Sequence, residues 1–186
     1  MSSLAHSLIT WTEFLRLPQR PETGRRYELH DGELIAVPPP GPIHVKLQKR
    51  IERLLEALAG DRGVVTIEFP YRPGLNLQFW FADVAYLPAA NWNALPPDDY
   101  PVYAPAFIVE VLSPSNTPAK LNRQRIVSLS AGTHEFWVVD PSARTVQVTT
   151  QSGIQTYAVG DVISVALFGE ASLGVDEIFE SAGGSA

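Results

Sequence analysis

Apolar and polar positions along the chain alternate between two periods, and the changes of period mark out the elements. Residues 7–17 read as a short first helix, with Thr10 and Glu13 at capping-box spacing and Pro18 as its end. Residues 18–26, with two prolines and a glycine, read as a polar loop. The runs 27–30 and 33–37 are strand-like and flank Asp31-Gly32, a dipeptide that favours a tight hairpin. After a proline-rich break, Ile43, Leu47, Ile51, Leu54, Leu55 and Leu58 recur at helical spacing and predict a helix over 43–59 with one apolar face, closed by Gly60. Lys46, Lys49, Arg50 and Arg53 occupy its other face.

Strand-like runs follow at 64–69, 79–87 and 105–112, with a loop carrying four prolines over 88–104. A helix is expected over 118–131, with Leu121, Ile126 and Leu129 as its apolar positions and Gly132 as its end. Residues 135–140 form another apolar strand, 144–150 and 154–159 alternate as a hairpin, and a brief helical turn falls near 175–180. The tail 181–186 is small and polar, and is expected to be disordered. This order predicts an α/β (mixed α+β) fold over residues 1–186, one domain built on a central mixed sheet flanked by helices. The strand–helix–strand unit at 105–140 makes those two strands parallel.

Composition narrows the function classes. The 186 residues contain no cysteine, which excludes disulfides, thiolate metal sites and cysteine nucleophiles. The N-terminus lacks a signal-peptide pattern and no apolar run approaches a membrane span, so a cytoplasmic protein without membrane contact is expected. A net charge of −6 argues against broad, non-specific binding to nucleic acid, though not against a local basic cleft.

Two acids interrupt apolar strands, Asp83 in 79–87 and Glu110 in 105–112. A buried carboxylate is ordinarily paired, protonated or bound to a metal. Paired acids of this kind suit a hard divalent cation such as Mg²⁺, with the carbonyl of Val111 as a third ligand. The alternative is that each acid pairs with a basic side chain.

Several short motifs then occur in a set order. They are Tyr27-Glu28-Leu29 with Asp31-Gly32-Glu33-Leu34, His44 opening a helix, Asp83-Val84, Glu110-Val111-Leu112-Ser113-Pro114-Ser115, and Gly132 followed by Glu135-Phe136-Trp137-Val138-Val139-Asp140-Pro141. Together they resemble the Uma-two family of putative restriction endonucleases, within the PD-(D/E)XK nuclease superfamily, over roughly residues 10 to 150. The resemblance implies a restriction-endonuclease-like core and Mg²⁺-dependent hydrolysis of DNA phosphodiesters, with Mn²⁺ as a substitute. It also implies Asp83 and Glu110 as metal ligands, and a homodimer.

Two positions depart from the family pattern. Ala82 stands where proline usually precedes the aspartate. Gln124 stands where the family carries its catalytic lysine, and the positions one turn either side, Lys120 and Ser128, differ as well. Glutamine carries no charge but can hydrogen-bond water or phosphate. Lys120, at i−4 on the same face, is placed to substitute, whereas Arg123 and Arg125 point elsewhere. The expectation is therefore a DNA endonuclease, either working through Lys120 or impaired by the loss of lysine, or else a catalytically inactive nuclease fold serving as a nucleic-acid-binding or regulatory module.

Glu28 and His44 also match family positions. Glu28 is read as a third acid holding metal or water, or as a partner of Arg25 or Arg26. His44 is read as a contact to substrate phosphate, as a hydrogen-bonding support for an active-site acid, or as a helix-start histidine with a structural partner. Trp80, Phe81 and Trp137 are expected in the core, and Glu135 and Asp140 are expected to fix loops. No nucleophile elbow or glycine-rich phosphate loop is present.

Overall fold

The computed structural model describes residues 8–17, 26–74, 76–113 and 116–180. The expected 18–26 loop (apart from Arg26), the tail 181–186 and the Pro114-Ser115 pair lie outside these residues. Helix α1 spans only Trp11–Phe14, shorter than the apolar pattern suggests, but carries the expected capping box between Thr10 and Glu13.

Strands β1 (Arg26–His30) and β2 (Glu33–Val37) form the antiparallel hairpin around Asp31-Gly32. Both turn residues have positive φ, 50° and 83°, the conformation for which aspartate and glycine are suited. The hairpin is a separate two-stranded sheet, joined to the body where Leu29 bridges Phe79. Helix α2 (Pro42–Ala59) follows. It buries Leu47, Gln48, Ile51, Leu55 and Ala59. Ile43, expected on that face, is 70% exposed, because the first turn borders a surface groove instead of the sheet.

The central sheet has six strands in the order β3 (Gly63–Tyr71), β4 (Trp80–Pro88), β5 (Phe107–Val111), β6 (Glu135–Asp140), β7 (Thr145–Thr150) and β8 (Gly153–Ala158). All neighbours are antiparallel except β5 and β6, which are parallel as the crossover predicts. The connection from β4 to β5 is not all loop, since it opens with helix α3 (Ala89–Asn93). The crossover helix is α4 (Pro118–Ser130). Near the C-terminal end lie a small pair, β9 (Val162–Ser164) and β10 (Ser172–Gly174), which periodicity does not foretell, and helix α5 (Val175–Phe179).

Both faces of the sheet are covered, so β5 is buried at every position. One core cluster joins Leu47, Ile51 and Leu55 of α2 to Val65, Val84, Val109 and Trp137, and includes Val175 and Ile178 of α5. The other packs Leu121, Val127 and Leu129 of α4 against Phe69, Trp80, Ala82, Ile108 and Phe136. On α4 the positions buried against the sheet are Gln124 and Ser128, while Ile126, expected to be apolar core, is 50% exposed.

Side-chain alternation changes phase in the middle of β3 and β4. Val65 and Ile67 pack on the α2 side, yet Phe69 and Tyr71, two and four residues further on, pack on the α4 side. In β4, Trp80 and Ala82 belong to the α4 side and Val84 and Tyr86 to the α2 side. A regular strand keeps residues i and i+2 on one face. The break falls at Glu68, whose φ of 54° is left-handed, and at Asp83 opposite it. The register is the same on both sides of the break, Ile67 with Val84 and Phe69 with Ala82.

Candidate active site and metal centre

The phase break opens the sheet where its acids gather. Asp83 takes hydrogen bonds from two elements at once. The Val111 N–H donates to Oδ2 at 2.7 Å, and the Gln48 amide of α2 donates to Oδ1 at 3.0 Å. His44 Nε2 lies 3.0 Å from the same Oδ1. The other ring nitrogen, Nδ1, is buried without a hydrogen-bond partner.

The Gln48 amide also donates to Glu68 Oε1. One neutral amide thus sits between two carboxylates. Glu68 forms an ion pair with Arg26, whose guanidinium lies 4.5 Å from the centre of the Phe81 ring. Donor atoms of His44, Glu68 and Asp83 lie within 4.8 Å of one another, a spacing open to a metal ion.

The β4–β5 ladder ends at Val84 and Val109, and Asp83 and Glu110 occupy the next facing positions. Glu110 is buried, and Gln124 Nε2 donates to its Oε1 at 2.9 Å. Burial, then the charges of Asp83 and Glu28, push the Glu110 carboxyl well above the ordinary carboxylate range. The Asp83 N–H and the Gln124 amide pull it down without offsetting that cost.

Glu28 accepts from the Phe81 N–H at 3.4 Å, and its Oε2 lies 2.7 Å from His30 Nε2. Arg26, one of the partners considered for Glu28, instead pairs with Glu68. A cleft of about 390 Å³ is lined by Glu28, His44, Asp83, Glu110, Lys120 and Gln124, together with Arg26 and Glu68. Val111 is not among its lining residues and contributes its N–H to Asp83. Arg123 binds Asp31 through two nitrogens, at 2.9 and 2.6 Å, and so ties α4 to the hairpin turn outside the cleft. Arg125 turns to Gln147, at 2.9 Å.

Trp80 and Trp137 are fully buried core residues, while Phe81 lines the cleft. Glu135 accepts from the Trp137 ring and the Leu167 N–H, and Asp140 caps the turn at Ser142 and Ala143. Both hold loops, as expected.

Sequence reading overlooks Glu68 and Gln48, and considers Arg26 only as a partner of Glu28. Glu68 follows Ile67 in an alternating strand and reads as a solvent-facing residue, and only the phase break turns it toward Asp83. Gln48 lies beside the apolar stripe of α2, one turn after His44, and that i, i+4 relation was the available signal.

Comparison with known proteins bears on the family and the fold. A family model described as Uma2, putative restriction endonuclease, matches residues 11–176. A solved structure of similar fold is a putative nuclease belonging to DUF820 from Anabaena variabilis ATCC 29413. The two superpose with a TM-score of 0.78 at 23% identity, over 92% of this chain and 97% of that one, a likeness of fold. No curated protein matches the chain.

Proposed function

The chain belongs to the Uma2 family of putative restriction endonucleases, and from that premise we propose that it hydrolyses DNA phosphodiesters with the help of a divalent cation, Mg²⁺ or Mn²⁺. The observation that carries the reading is the convergence of Glu28, Glu68, Asp83 and Glu110 on one cleft that, among the described residues, offers Arg26 and Lys120 as its fixed cations. Such a concentration of carboxylates is self-repelling, and an oxygen-rich donor set suits a hard cation. The donor atoms of His44, Glu68 and Asp83 have a spacing that fits one.

Asp83 and Glu68 would hold the ion, with Glu110 on the facing strand and His44 and Gln48 fixing the ligand carboxylates. When bound, the ion supplies an acidified water and offsets charge on the phosphoryl group. The chain's own residues do the rest. Glu110, drawn into its ionised form beside the cation, would accept the proton that water releases as its oxygen bonds to phosphorus. The bond from phosphorus to the bridging oxygen breaks, and that oxygen takes a proton from solvent. Lys120 is half-buried and lines the cleft, and Gln124 donates to Glu110.

Gln124 also favours a second reading, a catalytically silent module that keeps the fold and binds nucleic acid. Its amide is neutral and already engaged by Glu110. Incubating the protein with supercoiled plasmid DNA and Mg²⁺ or Mn²⁺ separates the two. Nicking abolished by a chelator supports the nuclease, intact DNA that the protein nevertheless binds in a gel shift supports the silent module, and the absence of both nicking and binding overturns both.

A further inference from the structure

The hairpin contributes more to the cleft than a wall. Alternation along β1 turns Arg26, Glu28 and His30 to the cleft, while Leu29 between them is fully buried against the body. Of these three, Arg26 has the most unusual setting. Its guanidinium pairs with Glu68, the acid in left-handed backbone, and stacks on Phe81. Its Nε is buried and makes no hydrogen bond, so the donor fork is only partly used.

Charge balance makes this contact consequential. Glu68 shares the Gln48 amide with Asp83, and any cation held between these two acids must share Glu68 with Arg26. The Phe81 ring beneath the guanidinium also borders a second, smaller aromatic niche lined by Phe14, Tyr27, Phe79 and Tyr100. Arg26 lines both spaces, so the guanidinium can leave Glu68 and remain over an aromatic face.

We propose that Arg26 is the resident counter-cation of the cleft. It neutralises Glu68 in the metal-free protein, is displaced when a divalent ion takes Glu68, and then binds a non-bridging oxygen of the substrate phosphodiester. The inference rests on the metal-dependent reading above. Arg26 forms and breaks no covalent bond in this role. It supplies the positive charge that Gln124 does not, and a planar fork suits a phosphate's paired oxygens better than a point charge does.

The test uses the full chain and Mn²⁺ alone as the binding probe, followed by cleavage of plasmid DNA. In calorimetry, Arg26→Gln should bind Mn²⁺ about fivefold or more tightly than wild type, because the internal competitor is gone. The same variant should cleave about 100-fold more slowly, because the phosphate has lost a charged donor. These opposite signs would not arise from a misfolded protein. Arg26→Lys provides the second variant: it should bind Mn²⁺ as wild type does and cleave about tenfold more slowly, the fork being lost and the charge kept. Wild type that binds Mn²⁺ and cleaves, beside an Arg26→Gln variant that does both equally well, would overturn the role of Arg26 and leave the metal-dependent reading standing. Absence of Mn²⁺ binding by wild type and both variants would overturn the metal-dependent reading itself, and this inference with it.

Discussion

Glu68 and Asp83 stand opposite each other across β3 and β4, and the amide of Gln48 donates to both. The strands keep register on either side of the pair, yet side-chain alternation reverses there, with Glu68 at a φ of 54°. Left-handed backbone at a residue with a Cβ costs of order 1–3 kcal/mol and tends to persist at functional sites. Here it turns an acid into the cleft that strand geometry would place elsewhere.

The strain is measurable by comparing two substitutions at one position. Glu68→Gly and Glu68→Ala remove the same carboxylate, but only glycine relieves the backbone. The glycine variant should be the more stable of the two by about 1 kcal/mol in urea unfolding. Equal stabilities, or a more stable alanine variant, would contradict a strained Glu68. Both should lose Mn²⁺ affinity by about tenfold or more, as expected for loss of a ligand.

Glu110 predicts a pH dependence of defined sign. Its folded-state proton affinity is raised above the ordinary 4.5, so the native state binds more protons than the unfolded chain once pH exceeds that value. Stability of the metal-free protein should therefore fall as pH rises from about 4.5 through the folded-state value, and then level off. Glu110→Gln removes this contribution and keeps the hydrogen-bonding shape. Unfolding curves in a chelator across pH 4–9 should show wild type losing stability relative to the variant as pH rises. Parallel curves would show that Glu110 is not held protonated by its surroundings.

Gln124→Lys would place a cation beside Glu110 on the helix face that already meets the cleft. The expected result is cleavage raised by about tenfold, together with a Glu110 carboxyl drawn down by the opposite charge. An unchanged rate would show that the neutral residue at 124 is no defect in this chain.

Ser128 and Tyr71 are both fully buried, and their hydroxyl oxygens lie 3.0 Å apart. Ser128→Ala strands the Tyr71 hydroxyl in the core and should cost about 1–3 kcal/mol in unfolding free energy. Replacing both, with Tyr71→Phe added, should recover part of that loss. A neutral Ser128→Ala would mean that the hydroxyl finds another partner.

The sequence is legible where periodicity and turn chemistry agree. Asp31-Gly32 fixes the hairpin, and the strand–helix–strand unit fixes the parallel β5–β6 pair. Asp83 and Glu110 stand out because charge is conspicuous in apolar runs. Glu68 does not, because a reversal of alternation leaves no mark in a pattern of odd-numbered apolar residues that continues through Phe69 and Tyr71. Arg26 and Gln48 are hidden for a related reason, since each acts on a carboxylate supplied by a different element. On α4 the pattern misleads. Ile126 looks like core, whereas the buried positions are Gln124 and Ser128, each held by a polar partner across the helix–sheet interface.

The most direct test of the account is plasmid nicking by wild type and Asp83→Ala, assayed together in Mg²⁺ or Mn²⁺ with folding verified by circular dichroism. Asp83 receives the Val111 N–H and the Gln48 amide and faces both Glu68 and Glu110, so its loss should abolish metal-dependent cleavage. Nicking by wild type and none by Asp83→Ala is the predicted result. Equal cleavage by both proteins would contradict Asp83 as the centre of the site.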